Sequence, residues 1–122
     1  PYDVANTRFS IGETHLTLKD YDTALKSFLQ AKDEFQPVLD KNPENIYAVR
    51  MSSFNLHRIG KCYEALSARN NQRQLLPKAL EYYRAAFNNL DKLKTDGKLG
   101  EYDFKELDEM ARKIKELERK TA

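Results

Sequence analysis

The chain has 122 residues, of which 33% are charged and 40% are hydrophobic. Its formal net charge of +2, from 21 Lys and Arg against 19 Asp and Glu, is too small to indicate a nucleic-acid-binding protein. The composition is typical of a helix-rich protein. No apolar run approaches the ~18 residues of a membrane span. We therefore expect neither a membrane nor a nucleic-acid partner.

The single cysteine excludes an internal disulfide and leaves the compartment undecided, although it slightly favours a reducing one such as the cytoplasm. No signal peptide is recognisable. Because the chain begins at Pro1 rather than Met, we also expect it to be a domain of a larger protein.

The first predicted helix runs from about Asp3 to Leu18, where apolar residues recur with a period near 3.6. Gly12 lies inside this helix, although a glycine there costs about 1 kcal/mol relative to alanine. We therefore expect a second helix to approach Gly12 so closely that a Cβ would obstruct it. Asp20 then follows as a predicted N-cap.

The second predicted helix extends from Tyr21 to about Lys41, with a kink at Pro37, because the apolar stripe stays in phase beyond the proline. The alternative is a helix that ends before Pro37. Asn42-Pro43 marks the next break, because proline suits the first position of a helix. A long third helix is predicted over residues 43–68.

A polar, amide-rich stretch near residues 69–75 is predicted to be an exposed loop or a solvated extension of the helix. The fourth helix then runs from Pro77 to about Thr95. A fifth helix is predicted over residues 103–120, with Asp103 and Glu106 as a capping pair.

The pattern around Gly12 occurs a second time downstream. A shift of 60 − 12 = 48 residues places Gly12 on Gly60, and a shift of 79 − 24 = 55 residues places Ala24 on Ala79. The second shift also aligns Leu25 with Leu80, Phe28 with Tyr83, Ala31 with Ala86, and Phe35 with Leu90. The seven additional residues are the polar stretch, which indicates an internal repeat with an insertion at one turn.

These positions resemble the tetratricopeptide repeat (TPR), a 34-residue helical hairpin with small and large residues at fixed offsets. The first copy matches at Ile11-Gly12, Asp20-Tyr21, Ala24, Phe28 and Ala31, and the second at Ile59-Gly60, Tyr63, Ala79, Tyr83 and Ala86. The chain departs from the pattern in its longer spacing, in Arg8 and Leu56 at the Trp position, and in His15 at the first Tyr position.

The resemblance covers about residues 4–94 and implies an all-α fold. Repeat one would span residues 4–42 and repeat two residues 43–95, each an antiparallel pair of tetratricopeptide-like helices. The helix at 103–120 would cap them, and residues 1–122 would form one domain, a short right-handed α-solenoid. The resemblance also implies a protein-interaction module.

In that family the first helix of each pair lines a concave groove that holds a peptide or protein segment. The resemblance places six residues there: Phe9, Glu13, Phe54, His57, Arg58 and Lys61. Since neighbouring cations on a helix face can hold carboxylates, we hypothesise an acidic partner segment with the two phenylalanines as apolar contacts. The alternative is a solvated polar face without a partner.

No phosphate-binding loop and no nucleophile motif is present, so we expect no catalytic residues and no cofactor. Two histidines and one cysteine do not complete a zinc set, so no metal is expected. Two other functions remain open: an accessory segment fused to an enzyme, and a structural or homo-oligomerisation domain. A homodimer would use the fifth helix through Phe104, Leu107, Ile114 and Leu117.

Overall fold

A computed structural model describes residues 2–122. Its five α-helices are α1 (Tyr2–Thr17), α2 (Tyr21–Lys41), α3 (Ile46–Arg69), α4 (Leu76–Thr95) and α5 (Glu101–Thr121), and a 3₁₀ turn at Arg73–Leu75 precedes α4. Each helix packs against the next one along the chain, and α1 also touches α3. Within residues 2–122 there is no strand, which confirms the predicted all-α class.

The helix ends differ from the prediction where the capping groups differ. α2 continues through Pro37 to Lys41, as predicted. α3 begins at Ile46 rather than near Pro43, because the side chain of Asn45 accepts the backbone N–H of Ala48 at 3.1 Å. The chain from Asn42 to Asn45 is therefore a turn, and Pro43 does not begin a helix.

Two predicted caps are wrong. Asp20 occupies the N-cap position of α2, but its side chain makes no capping hydrogen bond. α5 begins at Glu101, two residues before the predicted start, and its first turn is closed by the backbone N–H of Gly100, which donates to Asp103 Oδ2 at 3.4 Å. Glu106 therefore takes no part in the cap and is available to α3.

The predicted role of the helix glycines is confirmed. A Cβ at Gly12 would lie 2.5 Å from Cε1 of Phe28 in α2. A Cβ at Gly60 would lie 3.0 Å from Cδ1 of Tyr83 in α4 and 3.2 Å from the carbonyl oxygen of Ala79. Phe28 and Tyr83 are matched positions of the repeat, so the pairs α1–α2 and α3–α4 use the same contact between a glycine and a ring.

The core continues from the two helix pairs into α5. The matched small residues Ala24, Ala31, Ala79 and Ala86 are all fully buried. In α5 the side chains of Leu107, Met110 and Leu117 are buried as well. Two of the four residues predicted for a homodimer, Leu107 and Leu117, therefore pack inside the chain, and the predicted dimer surface on α5 is reduced to Phe104 and Ile114.

Candidate functional site: a groove between α1, α3 and α5

A groove of about 770 Å³ lies between α1, α3 and α5. Its lining includes Glu13 and Leu16 of α1, then His57, Arg58, Lys61 and Glu64 of α3, and finally Tyr102, Lys105, Glu106, Glu109 and Lys113 of α5. The three helices that border it alternate with α2 and α4 along the chain. Carboxylates and cations both line the groove, so its charge depends on how they pair.

Four of the six predicted site residues line this groove, and two lie beneath it. Glu13, His57, Arg58 and Lys61 are in the lining. The rings of Phe9 and Phe54 are 7% and 4% exposed, and the guanidinium carbon of Arg58 stands 5.8 Å from each ring centroid. A bound segment would reach either ring only if Arg58 moved aside.

Arg58 joins the three helices of the groove. Its Nε donates to Glu13 Oε1 of α1 at 2.9 Å, and its Nη1 donates to Glu106 Oε1 of α5. The side chain is 12% exposed. Burial by itself lowers the pKa of Arg58, but the two carboxylates outweigh burial and hold the pKa above its ordinary value. We predicted that a bound segment would supply carboxylates to Arg58. In the structure, Glu13 and Glu106 of the chain itself already supply them.

His57 is deeply enclosed in the groove. It is 1% exposed, its Nδ1 lies 3.0 Å from Glu106 Oε1, and its ring centroid is 5.5 Å from that of Tyr83. Burial lowers the pKa of His57, since a charged imidazole would lose its hydration there, and the contact with Glu106 only partly offsets this. His57 is therefore neutral at neutral pH.

Glu106 faces both His57 and Arg58 and is itself buried. Burial alone would raise the pKa of this carboxyl group. The hydrogen bond with His57 and the charge of Arg58 outweigh burial, and the pKa of Glu106 lies below its usual range. The carboxylate is thus ionised at neutral pH and balances the charge of Arg58.

The outer part of the groove is paired less tightly. Lys113 Nζ lies 3.0 Å from Glu64 Oε2, and the hydroxyl of Tyr83 donates to Glu64 Oε1 at 2.8 Å. Lys61 Nζ approaches Glu109 Oε1 only to 3.9 Å, with both side chains about 40% exposed. Lys105 is exposed and makes no ion pair with any residue from 2 to 122. Lys61, Lys105 and Lys19, which also lines the groove and makes no ion pair within residues 2–122, are the cations whose charge is available to a ligand.

The sequence analysis did not identify the acidic residues of α5 as part of this site. Asp103, Glu106 and Glu109 recur every third residue and therefore lie along one side of the helix. They reach the cations of α3, and Asp103 Oδ1 accepts Nη2 of Arg50 at 2.8 Å. The three-residue spacing was the available signal, but Asp103 and Glu106 were predicted to be a capping pair of α5.

The remaining reactive groups are enclosed. The thiol of Cys62 is buried, and burial raises its pKa to about 12. Burial likewise raises the pKa of Tyr83, next to the charge of Glu64. Across residues 2–122, no three His, Cys, Asp or Glu side chains are grouped as a metal ion would require. None of the helices in that range has the length and hydropathy needed to cross a membrane.

Together the fold and the groove define an all-helical protein in which two similar helix pairs are followed by a fifth helix, with a charged groove on one side. Comparisons with protein-family models, with curated proteins and with solved structures found no match.

Proposed function

We propose that this chain is a non-catalytic protein-interaction module that binds a peptide or protein segment in the groove between α1, α3 and α5, as part of a larger protein. The groove itself is the observation that carries this proposal. Its volume of about 770 Å³ lies within the range of typical ligand sites, and three helices supply its walls. An open, charged groove of this kind suits an extended segment with polar groups.

A tetratricopeptide-like architecture, a short right-handed α-solenoid, is part of the same proposal. Its support is the repeated contact between a glycine and an aromatic ring, Gly12 with Phe28 and Gly60 with Tyr83. Each pair leaves one face that the next helix covers, which is the logic of stacked repeats. In that arrangement α5 takes the place of the first helix of a third unit.

The bound segment is proposed to be acidic, and its carboxylates are proposed to contact Lys61 and Lys105. Arg58 is less available than either lysine, because Glu13 and Glu106 already accept its N–H groups. Charge-assisted hydrogen bonds from lysines to carboxylates would supply the polar part of the affinity. Glu109 would then lose its 3.9 Å contact with Lys61, and water would hydrate its carboxylate instead.

The absence of catalysis is proposed from the state of the ionisable groups in the groove. A general base must reach a substrate proton, but Glu106 is buried against His57 and Arg58. The thiol of Cys62 stays protonated and enclosed, so it is a poor nucleophile. In the part of the chain that the structure describes, no base, nucleophile and oxyanion donor converge on one open position.

The proposal is tested by selecting random dodecapeptides by phage display against the whole chain and measuring the affinity of a selected peptide by fluorescence anisotropy. We expect enrichment of Asp and Glu among the selected sequences. Lys61→Glu and Lys105→Glu are each expected to weaken binding about tenfold, which corresponds to about 1.4 kcal/mol. Raising the salt concentration should weaken binding as well.

The matched control is Lys115→Glu, the same charge change at an exposed position of α5 that does not line the groove. Its affinity should equal that of the unchanged chain. The proposal is wrong if no peptide is enriched, or if both groove substitutions leave the affinity where it was. Equal weakening by all three substitutions would point to a general effect of charge and would also count against the groove.

A further inference from the structure

The outward face of α1 is almost free of charge. The exposed positions from its first turn to the residue after its end are Asp3, Val4, Thr7, Ser10, Ile11, Thr14, Thr17 and Leu18. Only Asp3 among them is ionisable. At the other end of the fold, eight of the ten exposed residues of α5 are charged. Stacked-helix proteins keep the outer faces that meet water polar, as in the charged face of α5, whereas α1 presents a mixture of hydroxyl and apolar side chains.

The large apolar residues of this face form one stripe. Val4, Ile11 and Leu18 follow one another at intervals of seven residues and are 44%, 41% and 69% exposed. This spacing places them along one line of a helix, over about 21 Å at 1.5 Å per residue. A seven-residue apolar repeat on an open helix face is the pattern by which one helix packs against another.

Two of the hydroxyl groups beside the stripe, those of Thr14 and Thr17, can be covered at little cost. The hydroxyl of Thr14 donates to the carbonyl oxygen of Ser10 at 3.2 Å, and the hydroxyl of Thr17 donates to that of Glu13 at 3.0 Å. These donors are already satisfied within the helix. Burying them does not leave an unpaired hydrogen-bond donor, the main penalty for covering polar groups.

The same face carries both a hollow and a projection. A hollow of about 280 Å³ lies at its N-terminal half, lined by Asp3, Val4, Thr7, Arg8 and Ile11. The projection is the exposed side chain of Leu18 at the opposite end. An interface between identical copies around a twofold axis requires each copy to present both halves of every contact.

The charges at the two ends of the stripe are also complementary. Asp3 stands at its N-terminal end and Lys19 in the turn after its C-terminal end. Neither makes an ion pair with another residue in the range 2–122. If a second α1 runs in the opposite direction with Ile11 opposite Ile11, Asp3 of each copy falls opposite Lys19 of the other.

We propose that α1 is the docking surface for a second copy of this chain, with the two α1 helices antiparallel around a twofold axis at Ile11. Leu18 of each copy fills the hollow beside Val4 of the other copy. Three large apolar residues per copy form a patch smaller than a standard stable interface, so the dimer is weak, with a dissociation constant in the micromolar range. Apart from Thr17 and Lys19, which also line the groove, this surface is distinct from that of the proposed function.

Cysteine cross-linking tests the arrangement. The native Cys62 is buried with its pKa raised to about 12, so it gives no background. Under mild oxidation, Ile11→Cys is expected to form a disulfide-linked dimer. Val4→Cys alone should form no disulfide-linked dimer, whereas a mixture of Val4→Cys with Leu18→Cys should cross-link. The control is Tyr47→Cys, at an exposed position on α3, which should not cross-link.

Sedimentation equilibrium over a range of concentrations gives the second readout. The unchanged chain is expected to dimerise, and Ile11→Lys should weaken dimerisation at least tenfold. Asp3→Lys and Lys19→Glu should each weaken it, and mixing these two variants should restore it, because each end of the mixed pair again joins opposite charges. Circular dichroism checks that each variant keeps its helices.

Three results would overturn the proposal. The first is a monomer at every concentration together with no cross-link of Ile11→Cys. The second is efficient self-cross-linking of Val4→Cys, which would mean parallel helices. The third is a dimer that Ile11→Lys leaves intact. Binding of groove peptides by Ile11→Lys is measured in parallel, so that a failure of this proposal is distinguished from a failure of the groove.

Discussion

Gly12 is the residue with least room for a side chain. A Cβ there would meet the buried ring of Phe28 at 2.5 Å, well inside ordinary contact distance. Alanine favours a helix by about 1 kcal/mol over glycine, but the clash in a packed core acts in the opposite direction and is larger. We expect Gly12→Ala to lower the free energy of unfolding by about 2 kcal/mol, measured by urea denaturation.

Two variants separate the clash from the change in backbone propensity. Gly100→Ala places a Cβ where no atom lies within 4 Å, so little change is expected. In Phe28→Leu the ring is removed, and Gly12→Ala should then cost less than it does alone. Strict additivity of the two substitutions would show that the ring contact is not the cause.

The glycine contacts were predictable because a glycine inside a helix has a cost that only close packing explains. The same cost at Gly60 strengthened the prediction. The partner of Arg58 was not predictable in this way. Glu13 and Glu106 lie 45 and 48 residues away from it in the chain, and their positions depend on how α1 and α5 pack rather than on local sequence.

α5 packs against α4 and is joined to α3 by ion pairs. One of these joins Arg50, whose side chain is 31% exposed, with Asp103, whose side chain is 6% exposed. Nε and Nη2 of Arg50 donate to the carboxylate at 2.8–3.1 Å. Asp103→Ala leaves Arg50 without its partner and opens the first turn of α5. We expect a loss of about 2 kcal/mol, because Arg50 is partly solvated.

Hydrogen exchange measured by mass spectrometry locates this effect. In Asp103→Ala, the amides of α5 should exchange faster, whereas those of α1 and α2 should keep their protection. The control is Glu118→Ala in the same helix, which breaks an ion pair with Arg84 in which both side chains are about half exposed. Faster exchange of α5 in the control alone would contradict the role given to Asp103.

The apolar periodicity predicted each helix, but it did not predict the residues at which each helix begins and ends. Asn42 and Asn45 are equally good caps by composition, and only the bond from Ala48 to Asn45 distinguishes them. The start of α5 was misplaced for a related reason. Asp103 caps the helix from inside its first turn, and Glu106, which resembled the second half of a capping box, is held by α3.

For the molecule as a whole, four of the six residues predicted for a groove line the one in the structure, but most of its lining and its balance of charge were not predicted. The α3 side was recognised from the repeat, because its residues keep the offsets of the first copy. The α5 side lies outside the repeat, so nothing aligned Glu106 or Glu109 with Arg58 and Lys61. The groove that resulted is mixed in charge, and its central cation is already paired.

The buried cluster of His57, Arg58 and Glu106 predicts how stability depends on pH. The pKa of His57 is lowered below 6.5 in the folded chain. Below pH 6.5, the unfolded chain therefore binds a proton at this histidine more readily than the folded chain does. Stability therefore falls as the pH drops below 6.5, by up to about 1 kcal/mol per pH unit. The lowered pKa of Glu106 adds a further loss of stability below pH 4.5.

Urea denaturation between pH 4 and pH 8 measures how steeply stability depends on pH, and His57→Gln should flatten this slope near pH 6. His15→Gln should keep it, because His57 remains. An unchanged slope in His57→Gln would mean that another group controls the acid response.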